Sequence, residues 1–275
     1  MKQLIFLLFV ISLCSSCEQW EPLDYIDANG LLVKIENEQR EIISEYSYYN
    51  NGTLKTSKEY SSYYSPGSCE TFNYYYNKSG QLTSMKGFQP GNMLMSSMTG
   101  AMDKNLAYRF AYDATGQLDS INIDFIYDDM DDLNYSMCLR FSYPDEQTCE
   151  EIITFKNSYA STNMITKTYH FDENGNIAEL KSWQTVEGKQ KLYSIEEMQY
   201  DDHKSPVTFK PLPQSKNNVL EKSVTVYNYD ENNEQTVAYS STYVYEYEYN
   251  GNGYPSYSKE IQPNQIENIR YYHYK

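Results

Sequence analysis

The chain is poor in the residues from which catalytic and metal sites are assembled. Its 275 residues include only 3 histidines and 5 cysteines. His170, His203 and His273 are far apart, and none stands beside a nucleophile on a glycine-flanked elbow. His170 and His273 alternate with aromatic neighbours and so face away from them on a strand, while His203 reads as a turn residue. No Cys/His spacing matches a zinc motif. The chain therefore reads as a non-enzyme, with no cofactor and no metal site. Basic residues are also scarce: 22 Lys and Arg stand against 38 Asp and Glu, a formal charge of −16. Phosphate backbones and anionic bilayers select for the opposite balance, which excludes nucleic acid as a partner.

Long apolar runs are missing as well, with one exception. Mean hydropathy is −0.72. The exception, Leu4 to Leu13, follows the basic Lys2 and is too short for a bilayer-spanning helix, which needs ~20 residues. It fits the apolar region of a secretory leader. Leu13-Cys14-Ser15-Ser16-Cys17 follows and resembles a lipobox, the processing site of bacterial lipoproteins. That resemblance implies cleavage before Cys17, lipid attachment at Cys17, and anchoring at the outer membrane on its periplasmic side or at the cell surface. The segments are then a signal peptide (1–16), a tether (17–30) and a β repeat domain (31–275). Without Lys2, 21 basic residues face 38 acidic ones, a formal −17. Cys69, Cys138 and Cys149 remain, so at most one internal bridge forms.

What the chain has in abundance is tyrosine, 31 residues of it, and their placement is ordered. Two aromatics one residue apart precede Asn or Asp, a glycine turn, and a large aliphatic. The unit appears at Tyr48-Tyr49-Asn50-Asn51-Gly52-Thr53-Leu54, Tyr74 to Leu82, Phe110 to Leu118, Tyr169 to Ile177 and Tyr247 to Pro255. Degenerate copies begin at Phe141, Met198 and Tyr227. Aromatics at i and i+2 share one face of a strand. Asp or Asn opens a turn by bonding its own backbone. Glycine supplies a positive φ, predicted here at Gly52, Gly80, Gly116 and Gly175. Each unit is thus a β-hairpin, and eight units imply roughly sixteen strands. The alternation is cleanest where Tyr243, Tyr245, Tyr247 and Tyr249 share one face, opposite Val244, Glu246 and Glu248.

The unit resembles the YD repeat of bacterial Rhs-type shell proteins. Taken with the lipobox and the length, the chain is similar to Bacteroidetes-type lipoproteins of unknown function with a porin-like fold. The resemblance implies an all-β protein whose antiparallel hairpin repeats form a curled or barrel-like sheet, and it implies no activity. An integral membrane barrel is disfavoured by the strands themselves, whose faces mix Tyr with Glu, Lys, Ser and Thr.

Two segments stand outside the repeat. Asp128, Asp129, Asp131 and Asp132 read as a solvated loop rather than a calcium site, since the glycine and terminal Glu of a calcium loop are missing. Met93, Met95, Met98 and Met102 crowd the longest interval between units, and methionine adapts to varied apolar partners. They are candidate ligand-binding residues, as a lid over an apolar opening. The functional expectation is an exported, lipid-anchored binding protein holding an apolar or amphipathic, lipid-like ligand inside the sheet. The alternative is a surface protein that meets glycan or protein through exposed tyrosines. The direction of the tyrosine faces separates the two.

Overall fold

The computed structural model describes residues 30–61, 68–91, 102–127, 134–156, 164–186, 188–206, 213–230 and 232–275. Sixteen strands make up the fold. The first eight are β1 (Leu32–Asn37), β2 (Ile42–Tyr48), β3 (Leu54–Tyr60), β4 (Cys69–Tyr76), β5 (Leu82–Gln89), β6 (Lys104–Tyr112), β7 (Leu118–Ile126) and β8 (Tyr135–Asp145). The others are β9 (Thr148–Lys156), β10 (Met164–Phe171), β11 (Ile177–Val186), β12 (Lys189–Lys204), β13 (Asn217–Tyr229), β14 (Gln235–Tyr249), β15 (Pro255–Ile261) and β16 (Glu267–Tyr274). Each strand pairs antiparallel with its chain neighbours, and β1 pairs with β16, which closes a barrel. Closure removes the open edge that a meander of this length would otherwise leave.

The repeat unit builds one end of this barrel. Gly52, Gly80, Gly116 and Gly175 all have φ between 78° and 86°, as the turn chemistry requires. In the turn after β6, Asp113 Oδ1 accepts the amides of Thr115 at 2.8 Å and Gln117 at 3.0 Å. The Gly116 amide donates to the Asp113 carbonyl at 3.1 Å, closing a type I turn followed by a left-handed residue. A register shift follows each such turn, as between Tyr48↔Leu54 and Ser47↔Thr56. These bulges add the local twist that lets a long meander curl. The Tyr227 copy departs from this arrangement, because its turn joins β13 to β14 at the opposite end. Three turns that lack glycine have the same geometry, with Arg40, Asn233 and Gln265 at φ 65°, 63° and 61°.

One tyrosine of the unit has its own task. Tyr48, Tyr76, Tyr112 and Tyr200 donate their hydroxyls to the carbonyls of Leu32, Leu54, Leu82 and Ile177 at 2.6 to 2.9 Å. Tyr143 and Tyr229 make longer versions, 3.2 Å, to Leu118 and Leu192. In every case the carbonyl lies two residues outside the last ladder pair, and the tyrosine three residues beyond it on the neighbouring strand. For β3 and β4 that pair is Thr56↔Asn73. The hydroxyl therefore serves a carbonyl that the ladder no longer reaches. The Tyr169 copy ends in Phe171, which has no hydroxyl. There the ladder runs on to His170↔Thr148, and the Phe171 amide donates to Gln147 O at 2.8 Å instead.

The aliphatic that closes the unit packs toward the core: Leu54 and Leu82 are 4% and 1% exposed, and Leu118 and Ile177 are half-buried against it. Each of the two buried leucines contributes roughly 1.5–3 kcal/mol of hydrophobic stabilisation. The apolar core continues along the inner wall from β3 to β10, through Met85, Phe110, Ile121, Leu139, Phe141, Ile153 and Tyr169. Glu151 lies inside this wall at 1% exposure, accepting a 2.5 Å bond from the Tyr169 hydroxyl with Lys167 at 3.8 Å. Cys69, Cys138 and Cys149 are unbridged, and Cys149 is a fully buried core residue.

Candidate ligand-binding site

Register and burial together fix which way each strand face points. Ser44↔Glu59, Tyr46↔Ser57 and Ser57↔Phe72 place those residues on the inner face with the buried Tyr74. On the far side of the closure, Tyr245↔Glu260, Tyr247↔Ser258 and Ser258↔Arg270 continue the same face. The tyrosine row of β14 therefore points into the barrel. Tyr243, Tyr245, Tyr247 and Tyr249 are all half-buried, while the alternating Val244, Glu246 and Glu248 are exposed.

The outer face carries ion pairs on well-separated strands beside exposed apolar residues such as Tyr75, Phe88 and Val244. Arg109 on β6 pairs with Asp124 on β7 at 2.7 Å, and Lys181 and Glu179 on β11 pair at 2.7 Å. Lys259 on β15 bridges Glu246 at 3.7 Å and Glu267 at 2.8 Å. His170 and His273 also lie on this face, the latter 3.0 Å from Glu36. His203 corrects its sequence reading. It sits in the last residues of β12 rather than in a turn, with its ring stacked on Tyr249 at 3.9 Å. An extended ladder carries β12 past its Tyr-Asp-Asp segment, where turn chemistry alone suggested a stop.

The inner face is not filled where β16 meets β1 to β4. A cavity of about 510 Å³ lies there, within the ~300–1,000 Å³ range of small-molecule sites. Ile35 and Leu54 supply apolar surface. Tyr46, Tyr74 and Tyr272 supply rings with hydroxyl tips, and Ser44 and Ser57 supply small polar groups. Glu59, Glu70 and Arg270 stand toward the end where β3 joins β4, and Pro206 reaches in from the β12–β13 connection. Ser57 Oγ and the Tyr74 hydroxyl are 3.0 Å apart, and Ser258 Oγ and the Tyr272 hydroxyl 2.9 Å. Burial pushes the Tyr46 hydroxyl up to about 12 and raises that of Tyr74. Neutral at pH 7 like any tyrosine, these hydroxyls offer hydrogen bonds without charge, and burial keeps them so into more alkaline solution. The site is amphipathic: apolar and aromatic over most of its wall, charged at one end.

Of the residues singled out from the sequence, Cys17, Met93, Met95 and Met98 lie outside the described residues, as do Asp128, Asp129, Asp131 and Asp132. Met102 is half-buried just before β6 and does not line the cavity. Among the described residues no cluster of His, Cys, Asp and Glu is arranged to hold a metal ion. The residues that do line the cavity carried little signal. Leu54 and Tyr74 belong to repeat units, but Glu59, Glu70 and Arg270 look like any other charged strand residues. The bulge after Leu54 resets the parity of β3 and turns Glu59 inward, whereas Glu70 and Arg270 share the inner face with Tyr74 and Tyr272 by plain alternation.

No protein-family model matches the chain, and no curated protein matches it. Solved structures do. A porin-like protein from Bacteroides vulgatus ATCC 8482 superposes with a TM-score of 0.52 at 9% identity, over 89% of this chain and 99% of that one. A porin-like protein from Bacteroides uniformis ATCC 8492 matches at 10% identity and a TM-score of 0.30, over 70% of this chain and 97% of that one. The chain thus has the closed antiparallel barrel fold of the B. vulgatus porin-like protein, reached with almost none of its sequence.

Proposed function

We propose that this protein is an exported, lipid-anchored binding protein that encloses an amphipathic small molecule in its barrel. The observation that carries the reading is the 510 Å³ cavity, walled by Tyr46, Tyr74 and Tyr272 and bounded at one end by Glu59, Glu70 and Arg270. An apolar body fits against Ile35, Leu54 and the tyrosine rings, while a polar head meets the charged end. The inward direction of the β14 tyrosines favours this over display of tyrosines to a surface polymer. The ion pairs of the outer wall suit a barrel standing in water, for which the lipobox at Cys17 supplies the membrane attachment. The porin-like name of the structural neighbour is consistent with an outer-membrane or surface setting.

The test uses N-phenyl-1-naphthylamine, an amphipathic fluorophore, titrated into the purified protein. Saturable enhancement is expected for the native chain. Ser44, at 9% exposure on the cavity wall, is the position to fill. Ser44→Trp should weaken probe binding at least tenfold while leaving the far-UV spectrum intact. Unsaturable enhancement, or equal affinity in the two proteins, would remove the cavity as the site. Native mass spectrometry without delipidation supplies the ligand itself.

A further inference from the structure

Strand β14 extends past its neighbour. Its ladder with β13 begins at Gln235, but its ladder with β15 begins only at Val244. Among the described residues, 235–243 thus have a strand on one flank alone, and β15 ends at Ile261, opposite Val244. Their other flank leaves backbone N–H and C=O groups with no ladder partner among the described residues. Every residue from Gln235 to Ser240 is exposed, Val237 at 60% and Tyr239 at 47%.

Sheet proteins guard such edges with charge, proline or a bulge. Gln235 to Tyr243 has no charged residue, no proline and no glycine, whereas each of the other fifteen strands carries a charge. The one guard is a bulge: Val226 pairs with Tyr239 and Tyr227 with Val237, leaving Ala238 as the extra residue. Beyond it the free edge is regular from Tyr239 to Tyr243, and its sequence is Tyr-Ser-Ser-Thr-Tyr. That stretch reads nearly the same in both directions about Ser241.

We propose that this edge pairs antiparallel with the same edge of a second copy, about a two-fold axis at Ser241. In that register Tyr239 of one copy lies opposite Tyr243 of the other, Ser240 opposite Thr242, and Ser241 opposite itself. Antiparallel ladders are stabilised by such aromatic and hydroxyl cross-strand pairs. An isologous contact of this kind must be self-complementary, which the near-palindrome satisfies. Charge selects the location. Two copies of a chain with a formal charge of −16 repel over most of their surface, and this edge is where strands meet without opposing like charges. The axis does not slide toward Glu246, because β15 already occupies that flank from Val244 onward. A single strand pair buries less than the ~1,200–2,000 Å² of a stable interface, so the dimer is weak and concentration-dependent.

Sedimentation velocity over a dilution series tests it on the purified protein. A reversible monomer–dimer equilibrium is expected. Ser241→Lys, which sets two like charges face to face on the axis, should weaken dimerisation roughly tenfold with the thermal midpoint unchanged. Ser241→Cys should form a disulfide-linked dimer on mild oxidation well above the background from the native cysteines, and Thr236→Cys should not. A monomer at every concentration overturns the proposal, as does a dimer indifferent to Ser241→Lys. Equal cross-linking from positions 236 and 241 overturns the axis. A chain that stays monomeric yet captures an unrelated extended peptide at this edge overturns the choice of a second copy as occupant.

Discussion

Removing the Tyr76 hydroxyl isolates the contribution of the tyrosine unit to the barrel. That hydroxyl donates to the Leu54 carbonyl at 2.9 Å, past the end of the β3–β4 ladder. Tyr76→Phe keeps the ring and deletes the donor. A typical intramolecular hydrogen bond contributes ~0.5–1.5 kcal/mol net, and a buried group left unpaired costs ~1–3 kcal/mol. The site is half-buried, so water partly replaces the donor and the expected loss is about 1 kcal/mol. Tyr48 and Tyr112 make the same bond two strands away on either side, at 2.6 and 2.8 Å. Two strand spacings are ~9–10 Å, far enough for near-additive effects. The triple variant with Tyr48→Phe, Tyr76→Phe and Tyr112→Phe should therefore lose about 3 kcal/mol. Urea denaturation reads this directly, with an unchanged slope showing that the native barrel is retained. Tyr75→Phe is the control, since Tyr75 is 43% exposed and on the outer face. A triple variant that loses less than about 1 kcal/mol, or a Tyr75 control that matches Tyr76, would refute the stapling role.

Four further outcomes are expected. Gly116 has φ +86° with nothing nearer to an added Cβ than Gln81 Nε2 at 3.5 Å, so Gly116→Ala should cost ~1 kcal/mol from backbone strain alone in chemical denaturation. Gly175→Val should cost more, because a β-branched side chain tolerates φ +81° less well than a methyl group and the Lys216 side chain must also move aside, while Glu173→Ala in the same turn should change little. Burial raises the hydroxyls of Tyr46 and Tyr245 from 10.0 to about 12. The stability this represents is fully present below pH 10 and is lost as pH rises toward 12. Absorbance at the tyrosinate band should therefore rise together with loss of the near-ultraviolet signal, and titration of every tyrosine near its ordinary value in an intact barrel would contradict it. Cys17→Ala should abolish incorporation of an azido-fatty acid during growth, and label retained in that variant would remove the assignment of Cys17.

Local chemistry is what the sequence determined by itself. Alternating tyrosines, the Asx-x-x-Gly turns and the aliphatic after each turn depend on neighbours within a few residues, and period-two patterning identifies strands without reference to the fold. Hairpins follow because each turn residue needs its backbone angle wherever it is placed. The direction of the β14 row, the purpose of the stapling tyrosine and the cavity were decided by tertiary structure. Tyr76 meets Leu54 only when β3 and β4 lie side by side, so no local pattern contains that bond. Glu59 and Arg270 are 211 positions apart in the chain and share a cavity because β1 pairs with β16. Bulges are the remaining reason: one extra residue reverses which side chains point inward, and turns as similar as those at Gly116 and Arg40 produce them with and without glycine. Closure and parity are properties of all sixteen strands at once, which is why they appear only in the assembled barrel.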